Sequence, residues 1–222
     1  MLTFGQYEAY YNFTVYPGNT YDYVPFKKPI QNRMYNSMYG PGNCKDMTLE
    51  CYSTKRSDVC SAADNFCYTE VEYLLDAYAQ RDEYDIRELT PDRFPYTYYI
   101  DYLNSPKVQQ AIGAYTNYSE SSDTTGNAFG STGDDDRLQG AVTDTTKLVE
   151  QGVYVIMFNG DADYICNWIG NEVVANNIGA PGWTDAGYTD ISTSDGIVHG
   201  AVKQSDNFVF ARIYEAGHEV RI

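Results

Sequence analysis

Val153-Tyr154-Val155-Ile156-Met157-Phe158, followed at once by Asn159-Gly160-Asp161-Ala162-Asp163-Tyr164-Ile165-Cys166-Asn167-Trp168, is the stretch that decides the fold of this chain. Its opening apolar run, rich in β-branched and aromatic side chains, has the pattern of a strand buried on both faces of a parallel sheet. Two acids, Asp161 and Asp163, follow directly. Phe208 to Tyr214 predicts a second strand of the same kind, which empties into Glu215-Ala216-Gly217-His218. In open α/β sheets the ligand crevice lies beyond the carboxyl ends of the strands. An acid and a histidine placed there in succession are therefore expected to share one site.

Around this segment, composition narrows the possibilities. The 222 residues, 43% hydrophobic and 21% charged, suffice for one sizeable core. With 15 Lys and Arg against 31 Asp and Glu, the net charge of −16 argues against a nucleic-acid partner, which needs clustered basic residues for phosphate contacts. The excess of carboxylates suits a secreted protein or one of an acidic organelle, because protonation at low pH relieves self-repulsion. No apolar run reaches the roughly 18 residues of a membrane span, so no membrane partner is expected. No export signal stands at Met1.

Cysteine usage points to the secretory route. Cys44, Cys51, Cys60 and Cys67 are spaced 7, 9 and 7 residues apart in a polar segment. That symmetry suits two nested bridges, Cys44 with Cys67 and Cys51 with Cys60. Zinc is the rival reading, although its sites favour cysteine pairs two to four residues apart. Cys166 is left over. Asn12-Phe13-Thr14 and Asn117-Tyr118-Ser119 are acceptor sequons for glycosylation at Asn12 and Asn117. A chain with secretory features and no export signal is expected to continue upstream of Met1.

Elsewhere the pattern is coarser. Residues 1 to about 43, rich in Tyr, Asn, Pro and Gly, read as irregular structure with short helical pieces. Val71, Leu74, Leu75 and Tyr78 predict a helix over about 62–80. Asn104-Ser105-Pro106 predicts the start of a short helix that Gly113 ends. Residues 115–136 read as loose, and Asp134-Asp135-Asp136 as charge for the start of a helix over Leu138–Glu150, with calcium binding as the alternative. From Gly152 onward the pattern is α/β, with a helix at about 167–178 and a final strand pair around 197–214.

Asn159-Gly160-Asp161-Ala162-Asp163-Tyr164-Ile165-Cys166-Asn167-Trp168-Ile169-Gly170-Asn171, Gly217-His218-Glu219-Val220, Ala9-Tyr10-Tyr11-Asn12-Phe13-Thr14 and Tyr39-Gly40-Pro41-Gly42-Asn43-Cys44 together resemble the serine carboxypeptidases, particularly the fungal ones. The resemblance runs over nearly the whole chain. It implies the C-terminal part of an α/β-hydrolase fold: residues 1–100 as a disulfide-stapled, helical and loop-rich cap or insertion, and residues 101–222 as core. The nested cysteine spacing matches that family's bridges. By the family's motif the second acid, Asp163, is the triad acid, His218 the base and Asp161 a turn former. Cys166 matches an unpaired cysteine lining the substrate pocket. Glu219 stands where the family has Met or Glu, and its carboxylate is expected to favour a basic substrate residue. His199 is assigned no role, and neither metal nor cofactor is implied.

The implied reaction is hydrolysis of the last peptide bond of a peptide or protein by acyl transfer. Asp163 and His218 supply the last two members of the order Ser, acid, His. The nucleophile motif Gly-x-Ser-x-Gly occurs nowhere in these residues; Gly130-Ser131-Thr132-Gly133 has the wrong spacing. The family's nucleophile and oxyanion hole are expected upstream of Met1, and its chains continue past Gly-His-Glu-Val with a helix. The chain alone is therefore expected to be inactive, completed by its N-terminal half, possibly as a second chain, and localised to a vacuole or outside the cell. The alternatives are a non-catalytic secreted glycoprotein that binds peptides or a partner chain, and an acyltransferase or lyase on the same scaffold.

Overall fold

A computed structural model describes residues 4–15, 21, 23–90, 98–132 and 139–220. The Asp134–Asp136 run lies outside them. The first forty residues, read from sequence as mostly irregular, contain two full helices, α1 (Phe4–Thr14) and α2 (Lys28–Tyr39). Aromatic residues obscure the helical pattern there but supply its packing. Tyr7, Tyr10 and Phe13 are buried in one cluster with Phe26, Met34 and Met38.

Two more helices, α3 (Cys44–Thr54) and α4 (Ser57–Cys67), form a tight hairpin closed by Lys55 in the left-handed conformation at φ 54°. Bridges Cys44–Cys67 and Cys51–Cys60 staple it. The chain then makes a π-helical turn over Tyr68–Glu72 and continues into α5 (Leu74–Tyr78). The helix expected over 62–80 thus begins earlier and carries an extra residue per turn at its middle. The wide turn presents Val71, Leu74 and Leu75 to the aromatic cluster. Short helices α6 (Tyr98–Leu103) and α7 (Pro106–Ile112) follow; Pro106 opens α7, and Gly113 at φ 70° ends it. Within the stretch read as loose lies α8 (Asp123–Thr132).

The remaining elements are α9 (Gln139–Glu150), β1 (Val155–Gly160), α10 (Trp168–Ile178), β2 (Tyr188–Ser192), β3 (Val198–Ser205) and β4 (Phe208–Ile213). The strands form one four-stranded sheet in the order β1-β4-β3-β2. Only β1 and β4 run parallel, Val155 opposite Phe208 through Gly160 opposite Ile213. Both therefore end on the same side. α9 and α10 cover one face, where Val149, Ala175 and Ile178 pack on Phe208 and Phe210 together with Trp183.

β1 departs from the strand buried on both faces. Ile156 and Phe158 are 56% and 58% exposed, because α9 and α10 cover only the side that carries Val155 and Met157. The helical layer joins the sheet through α1, which packs against α10. A Cβ on Gly170 of α10 would lie 2.3 Å from the Gln6 side chain and 3.0 Å from its Cα, so glycine is what permits this approach.

Candidate active site

Asp163 sits in the turn after β1 and is held from both sides. The next residue, Tyr164, is fully buried in the helical layer, stacked near Tyr10 with ring centroids 4.9 Å apart, and donates its hydroxyl to the Glu72 carbonyl at 3.0 Å. Tyr10 and Gln6 both donate to the Ile165 carbonyl, at 2.7 and 3.0 Å. Asn167 then caps α10 by accepting the Gly170 N–H at 2.9 Å. These anchors leave Asp163 almost wholly buried, with Oδ1 accepting the Cys166 N–H at 3.0 Å.

The other carboxylate oxygen, Oδ2, lies 3.0 Å from His218 Nδ1. His218 stands on the turn after β4, with Asp163 at its inner nitrogen and its ring partly open to solvent. The turn is strained: Glu215 and the β-branched Val220 take positive φ values of 54° and 53° on either side of it. Close backbone approach sets its position. A Cβ on Gly160 would lie 2.2 Å from the Ala216 carbonyl oxygen and 2.3 Å from that of Gly217. The Gly of the strand-end motif is thus needed because the histidine's turn rests directly on it.

A third segment, which the sequence marks only as a loop, clips the two turns together. The Glu83 carbonyl accepts the N–H groups of Tyr164 and Ile165, both at 3.1 Å, and the Tyr84 carbonyl accepts the His218 N–H at 2.8 Å. Arg87 donates to the Glu215 carbonyl at 2.7 Å. Tyr84 also meets the His218 ring edge-on, with centroids 5.2 Å apart.

Asp161 does more than form a turn. Fully buried, it accepts the Tyr21 hydroxyl at 2.6 Å and the Glu215 N–H at 2.9 Å on Oδ1, and Oδ2 lies 3.4 Å from the Arg212 guanidinium. It ties the acid's turn to the histidine's. Its role and those of Tyr21, Tyr84 and Arg87 were invisible in sequence because their partners lie 54 to 140 residues away. The pairing of β1 with β4 is the one signal that brings 161 near 215.

Electrostatics favour imidazolium. The hydrogen bond to Asp163 raises the His218 pKa above its ordinary value, and the charges of Glu219 and Glu83 add to the effect. Glu219 is exposed beside the histidine. Cys166 is accessible, yet partial burial of its sulfur, with Asp163 nearby, pushes its thiol up to about 11, so it is a neutral thiol at neutral pH. Asp163, Cys166 and His218 offer ligand atoms all within 4.8 Å of one another, a spacing that a metal ion could bridge. His199 lies on β3, its Nε2 3.1 Å from the Thr193 hydroxyl.

The serine carboxypeptidase family model matches residues 6–222. The chain belongs to that family. It is 35% identical over 218 residues to carboxypeptidase S1 homolog B of Arthroderma otae, covering 91% of this chain and 33% of that protein. It is 38% identical over 179 residues to carboxypeptidase S1 of Penicillium janthinellum, covering 80% of this chain and 42% of the relative. A vacuolar serine-type carboxypeptidase of Saccharomyces cerevisiae is 32% identical, covering 81% and 37%. The chain thus spans well under half the length of these relatives. Among solved structures, a prohormone-processing carboxypeptidase from Saccharomyces cerevisiae superposes with a TM-score of 0.62 at 19% identity, over 98% of this chain and 48% of that one. The fold is accordingly that of the α/β-hydrolases.

Chemically, the arrangement can hold an imidazole in one tautomer. With Nδ1–H donated to buried Asp163, Nε2 is left as the basic nitrogen facing outward, and the carboxylate stabilises the ring when it gains a proton.

Proposed function

We propose that this chain provides the acid and base of a serine-type carboxypeptidase whose nucleophile and oxyanion hole lie on polypeptide beyond these 222 residues. The single observation that carries this reading is the 3.0 Å contact between buried Asp163 and His218 Nδ1 at the ends of two parallel strands. In the proposed reaction the serine attacks the last peptide carbonyl of a peptide or protein. His218 takes the serine proton at Nε2 and returns it to the leaving amino acid, and water then resolves the acyl-enzyme by the same route. Without the serine and oxyanion donors this chain alone is inactive.

The open edge of β1 supports completion by further polypeptide. β4 occupies one side of β1; the other side is free within the described sheet, and Ile156 and Phe158 stand exposed beside it. A strand added there parallel to β1 would end beside Asp163, where a nucleophile could meet His218. Cys166 and Glu219 then flank the leaving residue, Glu219 favouring a basic one. Exposed Asn12 and Asn117 would carry glycans, and the protein would reside in a vacuole or outside the cell, in keeping with the paired cysteines and the vacuolar relative.

The test is reconstitution. The polypeptide encoded upstream, carrying Gly-x-Ser-x-Gly, is co-expressed with this chain or fused to it, and release of the terminal amino acid from a blocked dipeptide is followed. Activity should depend on both parts and vanish in His218→Ala. Absence of such an upstream motif, or a folded complex that forms and does not hydrolyse, would favour the non-catalytic glycoprotein instead.

A further inference from the structure

One cavity lies apart from the Asp163–His218 pair, and its origin can be read from the strand register. On the face of the sheet that carries Phe208 and Phe210, the cross-strand row nearest the end of β4 is Arg212, Ala201 and Asp190, contributed by β4, β3 and β2. Ala201 is the middle member. Its methyl group cannot fill the space between two longer neighbours, whose backbones stand about 10 Å apart at two strand spacings. Trp168 and Glu172, four residues apart on one face of α10, roof the gap. The result is a cavity of about 260 Å³ lined by these five residues with Tyr188 and Tyr214.

The lining carries both signs of charge at defined places. Arg212 is planted on aromatic surface, its guanidinium carbon 3.7 Å from the Trp168 ring centroid and 5.2 Å from that of Tyr214. Its side chain is 21% exposed, so its charge sits at the inner end. A guanidinium has five N–H donors in a planar fork, more than its contact with Asp161 uses. Asp190 is exposed at the outer end, and no hydrogen bond or ion pair engages it among the described residues. Glu172 is held by the Tyr188 hydroxyl. A ligand entering here meets a cation within, carboxylates further out and aromatic walls between.

We infer that this cavity is a binding site for a free α-amino acid, its carboxylate on Arg212 and its ammonium on Asp190 and Glu172. A zwitterion with its charges one carbon apart satisfies both ends at once, whereas a simple anion leaves the carboxylates unneutralised and a simple cation opposes Arg212. The volume admits a small or medium side chain. Occupancy would be felt at the active site, because Arg212 leans on Asp161, which holds the Glu215 N–H at the base of the His218 turn. The inference stands on the cavity alone and survives or fails independently of the carboxypeptidase reading, under which the ligand is the class of product released.

Isothermal titration of this chain with L-alanine and L-leucine tests it, with propionate and ethylamine as single-charge probes. Saturable binding of the amino acids is expected, with the single-charge probes at least about tenfold weaker, as for loss of one charge-assisted hydrogen bond. Asp190→Asn, an exposed substitution of equal shape, should weaken amino-acid binding by a similar factor. Ala201→Leu, which fills the gap without changing charge, should abolish it. Equal affinity for propionate and L-alanine, unchanged binding in both variants, or no saturable heat in the folded wild-type chain overturns the assignment.

Discussion

Replacing Glu72 by Gln should remove the largest pH-dependent step in the stability of this chain. Glu72 lies in the π-helical turn behind the Asp163 loop, and its carbonyl holds the Tyr164 hydroxyl at 3.0 Å. Burial, with the nearby charge of Glu83 adding to it, raises its pKa from the ordinary 4.5 to about 7. Ionising it therefore costs more in the folded chain than in the unfolded one, and the folded chain keeps the proton to higher pH. Stability is greatest below about pH 4.5, falls between there and about pH 7, and is flat above as far as this group is concerned. At about 1.4 kcal/mol per tenfold change in ionisation, the loss is about 3 kcal/mol. Glu83 and Asp76, also raised by burial, and His218, raised by Asp163, act in the same direction but remain in the variant. Urea unfolding at pH 4.5 and pH 8 should show the wild type losing about 3 kcal/mol more than Glu72→Gln across that interval. The variant should be the more stable of the two at pH 8. Parallel losses in the two proteins would refute the argument, since they would mean that Glu72 ionises as readily folded as unfolded.

Three other outcomes are expected. The His218 ring, followed by NMR, should titrate above the ordinary histidine value, and Asp163→Asn should bring the midpoint down by removing the largest cause of the rise; stability linked to His218 is present at low pH and is lost as pH rises through the folded midpoint. Gly160→Ala should cost about 1–3 kcal/mol in thermal unfolding and shift the His218 resonances, because the added methyl collides with the Ala216 and Gly217 carbonyls; unmoved resonances would count against the packing described for that turn. Replacing Cys51 and Cys60 by Ser opens a bridge of sequence separation 9 and should cost about 3 kcal/mol, while opening Cys44–Cys67, of separation 23, should cost slightly more, as measured by denaturant midpoint.

Sequence reading reached the parts of this molecule that are local. The apolar run ending at Phe158 and the strand ending at Ile213 are recognisable from residue type alone, because a strand's side-chain pattern is set by near neighbours. Symmetric cysteine spacing carries the nested bridges, and Pro106 with Gly113 marks both ends of α7. The helices α1 and α2 were less legible, since their buried faces are built from Tyr, Met and Ser instead of a clean aliphatic stripe. The exposed outer face of β1 could not be read either, because burial depends on what covers a strand and not on its own residues.

By itself, then, the sequence determined the family, the two strand-end turns and the acid and histidine they carry. Only the tertiary structure decided how those two residues are held at 3.0 Å: by the parallel register of β1 and β4, by the Glu83–Arg87 clip, and by Asp161 reaching the Glu215 N–H. Sequence motifs encode local chemistry and turn geometry. The clip and the Asp161 brace are contacts between segments distant along the chain, and they exist only once the sheet has brought those segments together.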